Sequence, residues 1–122
     1  MNRRFRLTRS AHFERVRRFG KSYAHPLIVL IALPNQAVNT RFGVAAGRSV
    51  GNAVRRNRAK RLLRSALQQY LPVIDPGWDV VLIARRTMAG ATFDQTVTAL
   101  AVLLGRARLL QEVHDFNTQK PG

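Results

Sequence analysis

The chain has 122 residues, of which 21 are Lys or Arg and 6 are Asp or Glu, for a formal net charge of +15; 46% of residues are hydrophobic and cysteine is absent. A chain of this length buries about two thirds of its unfolded surface, enough for one core, and its apolar content excludes a disordered basic tail. The lack of thiols excludes a disulfide framework, a cysteine nucleophile and thiolate zinc, while the charge implies a polyanionic partner, nucleic acid ahead of an acidic membrane surface.

Residues 1–9 read as a basic arm. Its start, Met1-Asn2-Arg3-Arg4-Phe5-Arg6, has the charge of a signal peptide without the apolar stretch behind it, so a cytoplasmic protein is expected. Ser10 as N-cap, Phe13 and Val16 one helical step apart, and Gly20 as a stop predict a short helix over 11–19. Leu27 to Leu33, between Pro26 and Pro34, is the longest apolar run. It falls far short of the ~20 residues of a membrane span and predicts a buried strand. Asn35 to Thr40 is turn material, and Arg41 to Ala46 predicts a second strand, expected to be the hairpin partner of the first. Gly51-Asn52 opens a long helix that runs to about Leu71 and stops at Pro72. Asp75-Pro76-Gly77 is a turn before a third strand over Trp78 to Ala84. Thr92-x-x-Gln95 resembles a capping box that opens a last helix, with Val97, Leu100, Ala101 and Leu104 on one face. From His114 the polar tail is expected to fray. The order α-β-β-α-β-α makes one domain over residues 1–122, an α+β two-layer sandwich.

The charge is concentrated. Residues 1–74 carry 16 of the 21 basic residues and a single acid, Glu14, whereas residues 75–122 carry five bases and five acids. Its focus is the long helix. At 100° per residue Ala59, Leu62, Leu63, Ala66, Leu67 and Tyr70 share the core-facing side, and Asn57, Arg61, Arg64 and Gln68 lie opposite. Arg55, Arg56, Arg58, Lys60, Arg61 and Arg64 place six cations in ten residues with no acid among them. The like-charge pairs Arg55/Arg58, Arg58/Arg61, Lys60/Arg64 and Arg61/Arg64 each cost a few tenths of a kcal/mol, an outlay that a bound anion would offset. A helical row of guanidinium forks suits a nucleic-acid backbone, with Asn57 an amide that both donates and accepts.

Catalytic chemistry is harder to place. Phosphodiester hydrolysis usually needs clustered carboxylates to hold metal ions. Here the acids are scattered, only Asp75 and Asp79 lying close, and His12, His25 and His114 are far apart, with Asp115 beside the last. Neither a protein-borne active site nor a bound metal is expected.

The run Gly51-Asn52-Ala53-Val54-Arg55-Arg56-Asn57-Arg58-Ala59-Lys60-Arg61-Leu62-Leu63-Arg64 resembles the signature of the protein subunit of bacterial ribonuclease P. Phe42-Gly43-Val44, Arg48, Asp79 to Arg85, and Arg6-Leu7 with Phe13 extend the resemblance over roughly residues 5–110. It implies the same element order with a left-handed βαβ crossover, a fold class shared with some ribosomal proteins. It implies an accessory subunit of an endoribonuclease that removes the 5′ leader of precursor tRNA, with catalysis and Mg2+ on the RNA subunit. The expected RNA-binding residues are Arg48, Asn52, Arg55, Arg56, Asn57, Arg58, Lys60, Arg61, Arg64 and Arg85. The single-stranded leader is expected in a cleft with Phe13, Arg9, Arg17 and Ile31. Arg17 and Ile31 stand where the family often has aromatic residues, so this cleft would rely more on charge and apolar contact. Phe13 reads equally as core packing of the first helix. A structural RNA-binding protein shares the composition, and only the Arg56-Asn57-Arg58-x-Lys60-Arg61 order separates it. A DNA reader would need a helix and tight turn before the basic helix, and a membrane-surface protein would need an aromatic wedge on its Ala- and Leu-rich face.

Overall fold

The computed structural model describes residues 5–111, which form α1 (Ser10–Phe19), β1 (Lys21–Ala24), β2 (Ile28–Pro34), β3 (Arg41–Ala46), α2 (Ala53–Gln68), β4 (Trp78–Ala84) and α3 (Phe93–Arg106), with short 3-10 turns at Arg48–Val50, Leu71–Val73 and Arg86–Gly90. The polar tail from His114 lies outside the described residues.

One mixed sheet of order β1-β2-β4-β3 organises the molecule. β2 and β4, the two most apolar strands, take its centre and pair antiparallel from Ile28↔Ala84 to Pro34↔Trp78. The expected hairpin between β2 and β3 is not formed. β4 stands between them, and β3 pairs with it in parallel, Arg41↔Asp79 through Ala46↔Ala84. The reason is burial: WDVVLIA is apolar on both faces and gains most in the middle, whereas β3, with Gly43, Ala45 and Ala46, loses little at the edge. The connection over residues 35–40 therefore crosses the start of β4 and is pinned there, Asn35 N–H donating to Gly77 O (2.8 Å) and Trp78 N–H to Thr40 Oγ1 (3.1 Å). β1 was not expected. Lys-Ser-Tyr-Ala has no apolar run of its own and is a strand because β2 offers it an edge.

Alternation along the strands sends side chains to two clusters. Ile28, Leu30, Phe42, Val44, Val80 and Leu82 face α2 and α3 in the main core. Ile31 and Val81 face the other way and pack with Leu7 and Val16 beneath α1. The helix layer thus holds α2 and α3, and α1 crosses the opposite face. On α2 the expected stripe is buried at Ala59, Leu63, Ala66 and Leu67, with Leu62 and Tyr70 half-buried. On α3 the stripe is turned by about one residue: Thr96, Ala99, Leu100, Leu103 and Leu104 are buried, and Val97 and Ala101 only half so. The Thr92–Gln95 capping box is present in both directions, at 3.0 and 3.1 Å.

Two details of α1 differ from expectation. Ser10 is its first residue rather than its cap, and no side chain caps the N-terminus; the Arg9 carbonyl accepts from the His12 and Phe13 amides instead. Gly20 does end the helix, yet its backbone is extended, φ −77°, so no left-handed cap requires glycine. Space does: a Cβ there would stand 2.6 Å from Val16 O and 2.7 Å from Ile31 Cγ2. The described part of the basic arm, residues 5–9, is docked as well, since Leu7 N–H donates to Phe42 O at 2.8 Å and the Leu7 side chain is buried.

Candidate nucleic-acid interface

The cationic helix begins with a built start. Gly51 has φ +139°, a conformation that demands glycine, and the Arg55 side chain packs close over it, Cδ lying 2.7 Å from where a Cβ would stand. Asn52 Oδ1 accepts from Arg55 N–H at 3.0 Å, which makes this residue the N-cap of α2. The Asn52 side-chain amide N–H group is not used by the cap and stays a donor for the expected RNA contact.

Beyond the cap the cations divide. Arg55, Asn57, Arg58 and Arg61 are exposed, and Arg56, Lys60 and Arg64 are half-buried. Arg56 reaches back to Gly51 O at 3.4 Å. Arg58 Nη2 donates to Ala91 O at 3.0 Å and Nη1 lies 3.4 Å from Ala89 O, so this guanidinium also ties α2 to the turn before α3. Arg61 has no partner among the described residues. Arg64 loses affinity for its proton, first through partial burial and second through the charge of Arg6. Arg6 comes within range because the arm runs alongside β3, forming a bridge with Phe42, and α2 packs over that strand. The sequence showed Arg6 only as part of a motif; its proximity to Arg64, 58 positions on, is a tertiary fact.

Arg48 and Arg85 lie at the same end of the sheet. β3 and β4 are parallel and end level at Ala46↔Ala84, so the residues just beyond them are neighbours. Both arginines are exposed, and Arg85 Nη1 donates to His25 O at 3.3 Å across the β1–β2 turn.

The α1 face has its own geometry. Phe13 is half-buried, and a Cβ on Gly43 would stand 2.3 Å from its Cζ, so the tip of the ring fills the space that glycine leaves. The packing role of Phe13 is thus real. Arg9 and Arg17 are exposed, one helical step to either side of it. Ile31 is different: at 6% exposure it props α1 from below and is no contact residue of a cleft. The surface open to a strand is instead the next row across the sheet, half-buried Val29, Ile83 and Ala45, which leads from Phe13 toward Arg48 and Arg85.

α1 is held over this face by a buried carboxylate, Asp79, whose structural role the sequence does not display. Asp79 is fully buried and takes Arg41 Nε and Nη2 at 2.9 Å each, Arg15 Nη2 at 2.9 Å and Asn35 Nδ2 at 2.7 Å. Burial pushes its carboxyl up, but the hydrogen bonds from Arg41 and Asn35, the Arg41 charge and the Arg15 bond outweigh this and hold it below the usual value. Asp79 is thereby a structural anion, saturated by its partners. Among the described residues no group of three His, Cys, Asp or Glu is gathered that could hold a metal ion, and no helix is long and apolar enough to cross a membrane.

Known proteins share this fold. The family model described as Ribonuclease P matches residues 1–108. The ribonuclease P protein component of Herpetosiphon aurantiacus is 40% identical over 109 residues, 89% of either chain. The fold superposes on the ribonuclease P protein of Staphylococcus aureus with a TM-score of 0.79 at 28% identity, covering 88% of this chain and 98% of that one. On the Thermotoga maritima protein the TM-score is 0.74 at 30% identity, covering 83% and 96%. The matched span takes in the docked arm, the Gly51-Asn52 start and the cationic helix together, and the chain belongs to the ribonuclease P protein family.

Proposed function

We propose that this chain is the protein subunit of a cytoplasmic ribonucleoprotein that cleaves the 5′ leader from precursor tRNA. Catalysis and its Mg2+ ions belong to the RNA subunit; the protein binds that RNA along α2 and at Arg48 and Arg85, and receives the single-stranded leader on the α1 face. The observation that carries the reading is the uncompensated charge of α2, where Arg64 sits half-buried beside Arg6 and Arg61 has no partner among the described residues. Such a surface is repulsive until an anion occupies it, and phosphate suits it because guanidinium forks bind its oxygens in pairs. The leader site rests on Phe13 flanked by Arg9 and Arg17, with the apolar row of Val29, Ile83 and Ala45 beside it. Together these offer a ring for a base and cations for its phosphates.

The test is reconstitution. Purified protein mixed with a bacterial ribonuclease P RNA at low Mg2+ should restore precursor tRNA cleavage, because its cations replace part of the metal needed to screen the RNA. Rigorously RNA-free protein should leave precursor tRNA intact. Cleavage by the protein without RNA, or no effect on the RNA at low Mg2+, would overturn the proposal.

A further inference from the structure

A groove of about 270 Å3 runs between α2 and the first turn of α3, lined by Arg58, Arg61, Leu62, Ser65 and Phe93. Phe93 is the first residue of α3 and keeps 37% of its surface exposed, although it is among the largest apolar side chains of the molecule. The Arg58 guanidinium is fixed at the rim by the Ala91 and Ala89 carbonyls, which leaves its remaining N–H donors for an outside acceptor. Arg61 stands exposed beside it without a partner among the described residues, and Ser65 adds a hydroxyl. Among the described residues no acid lines the groove. The nearest in sequence, Asp94, lines a separate cavity with His25 and Gln95.

We propose that this groove is a binding site for one unpaired nucleotide of the RNA held along α2: the base stacks on Phe93, its phosphate lies between Arg58 and Arg61, and Ser65 hydrogen-bonds the sugar or base edge. The volume lies just below the ~300–1,000 Å3 of small-molecule sites, which suits a single nucleotide and no folded partner. Four of the five lining residues have a use in that occupant, and Leu62 adds apolar wall. An aromatic ring accepts any base face, guanidinium groups accept phosphate, and both sit where the cationic surface already concentrates the polyanion. The site is separate from the leader surface, which lies on the opposite face of the sheet. The proposal rests on α2 binding RNA, and the experiment separates the two ideas.

Affinity for a bacterial ribonuclease P RNA transcript is measured for the parent chain and for Phe93→Leu, Phe93→Trp and Arg61→Ala, with thermal midpoints taken in parallel. Leucine keeps apolar bulk and loses the π face. Phe93→Leu should weaken binding roughly five- to hundredfold, the span of one base–aromatic stack, and Phe93→Trp should bind within about twofold of the parent. The indole introduced by Phe93→Trp should lose emission on RNA addition beyond any change at Trp78, a readout that does not depend on how Phe93→Leu folds. If Arg61→Ala weakens binding while Phe93→Leu does not, the groove proposal falls and RNA binding by α2 stands. If neither weakens it, both fall. Equal losses in Phe93→Leu and Phe93→Trp, or an indole emission unchanged by RNA, would show that Phe93 acts through packing and would also overturn the proposal.

Discussion

Single residues of the same type do different work here. Arg58 and Arg61 are three positions apart on one helix, yet one guanidinium holds two carbonyls and the other has no partner among the described residues. Arg61→Ala should therefore leave the thermal midpoint unchanged or slightly raised, since two like-charge pairs are relieved, and weaken RNA-subunit binding, lowering the slope of log K against log salt by about 0.7–0.9. Arg58→Ala should weaken binding and in addition cost about 1 kcal/mol of stability through the lost carbonyl bonds, which urea titration would read. Asp79 is the opposite kind of residue, a charge that never meets solvent. Because its folded-state pKa is depressed, its stabilisation is fully present above the ordinary carboxylate value of about 4 and is lost as pH falls through the lower folded value. Asp79→Asn should cost about 1.5–3 kcal/mol at neutral pH, since the hydrogen bonds from Arg41 and Arg15 lose their anion, and should flatten the fall in stability below about pH 4. An unchanged acid limb in a urea-midpoint series against pH would show that another carboxylate governs it.

Elements acquire function from what they rest on. α1 is short and uncapped by any side chain, and its place on the sheet depends on Val16, the Arg15–Asp79 ion pair and the Phe13–Gly43 fit. That fit gives Phe13 two possible effects on removal, and they are separable. Phe13→Ala should weaken binding of precursor tRNA to the reconstituted holoenzyme by about ten- to hundredfold, as expected for one stacked base, with mature tRNA binding as before. Equal losses for the two tRNAs would mean that the ring serves only to seat α1. α2 gains in the same way from its surroundings. Its charge pattern is its own, but the partial burial of Arg64 and the approach of Arg6 come from packing over β3 beside the docked arm.

The whole molecule is a strongly cationic body, and salt acts on it in two opposite senses. A net charge of +15 on 122 residues repels itself when RNA is absent. Screening shortens from about 30 Å at 0.01 M to about 10 Å at 0.1 M salt, so the thermal midpoint of the free protein should rise over that interval. The affinity for RNA should fall over the same interval, because released counterions then regain less entropy. A midpoint that stays level while affinity falls would place the repulsion outside the folded surface, on segments that separate without cost.

The sequence by itself determined whatever depends on near neighbours along the chain. The apolar period and cationic face of α2, the Thr92–Gln95 box, the strands at 41–46 and 78–84 and the family signature are patterns within about twenty residues, and short-range sterics and hydrogen bonds read them directly. Tertiary structure decided the rest. β4 displaced the expected β2–β3 hairpin because a strand apolar on both faces is worth more in the centre than at the edge, a competition among segments that no single segment displays. β1 exists only because β2 had an open edge. Asp79 became a buried anion because Arg15, Arg41 and Asn35, between 38 and 64 positions away, converge on it. Ile31 left the candidate leader surface for the same reason that Phe93 joined the candidate RNA surface: burial depends on what lies across the gap, and loop closure brings those partners from distant parts of the chain.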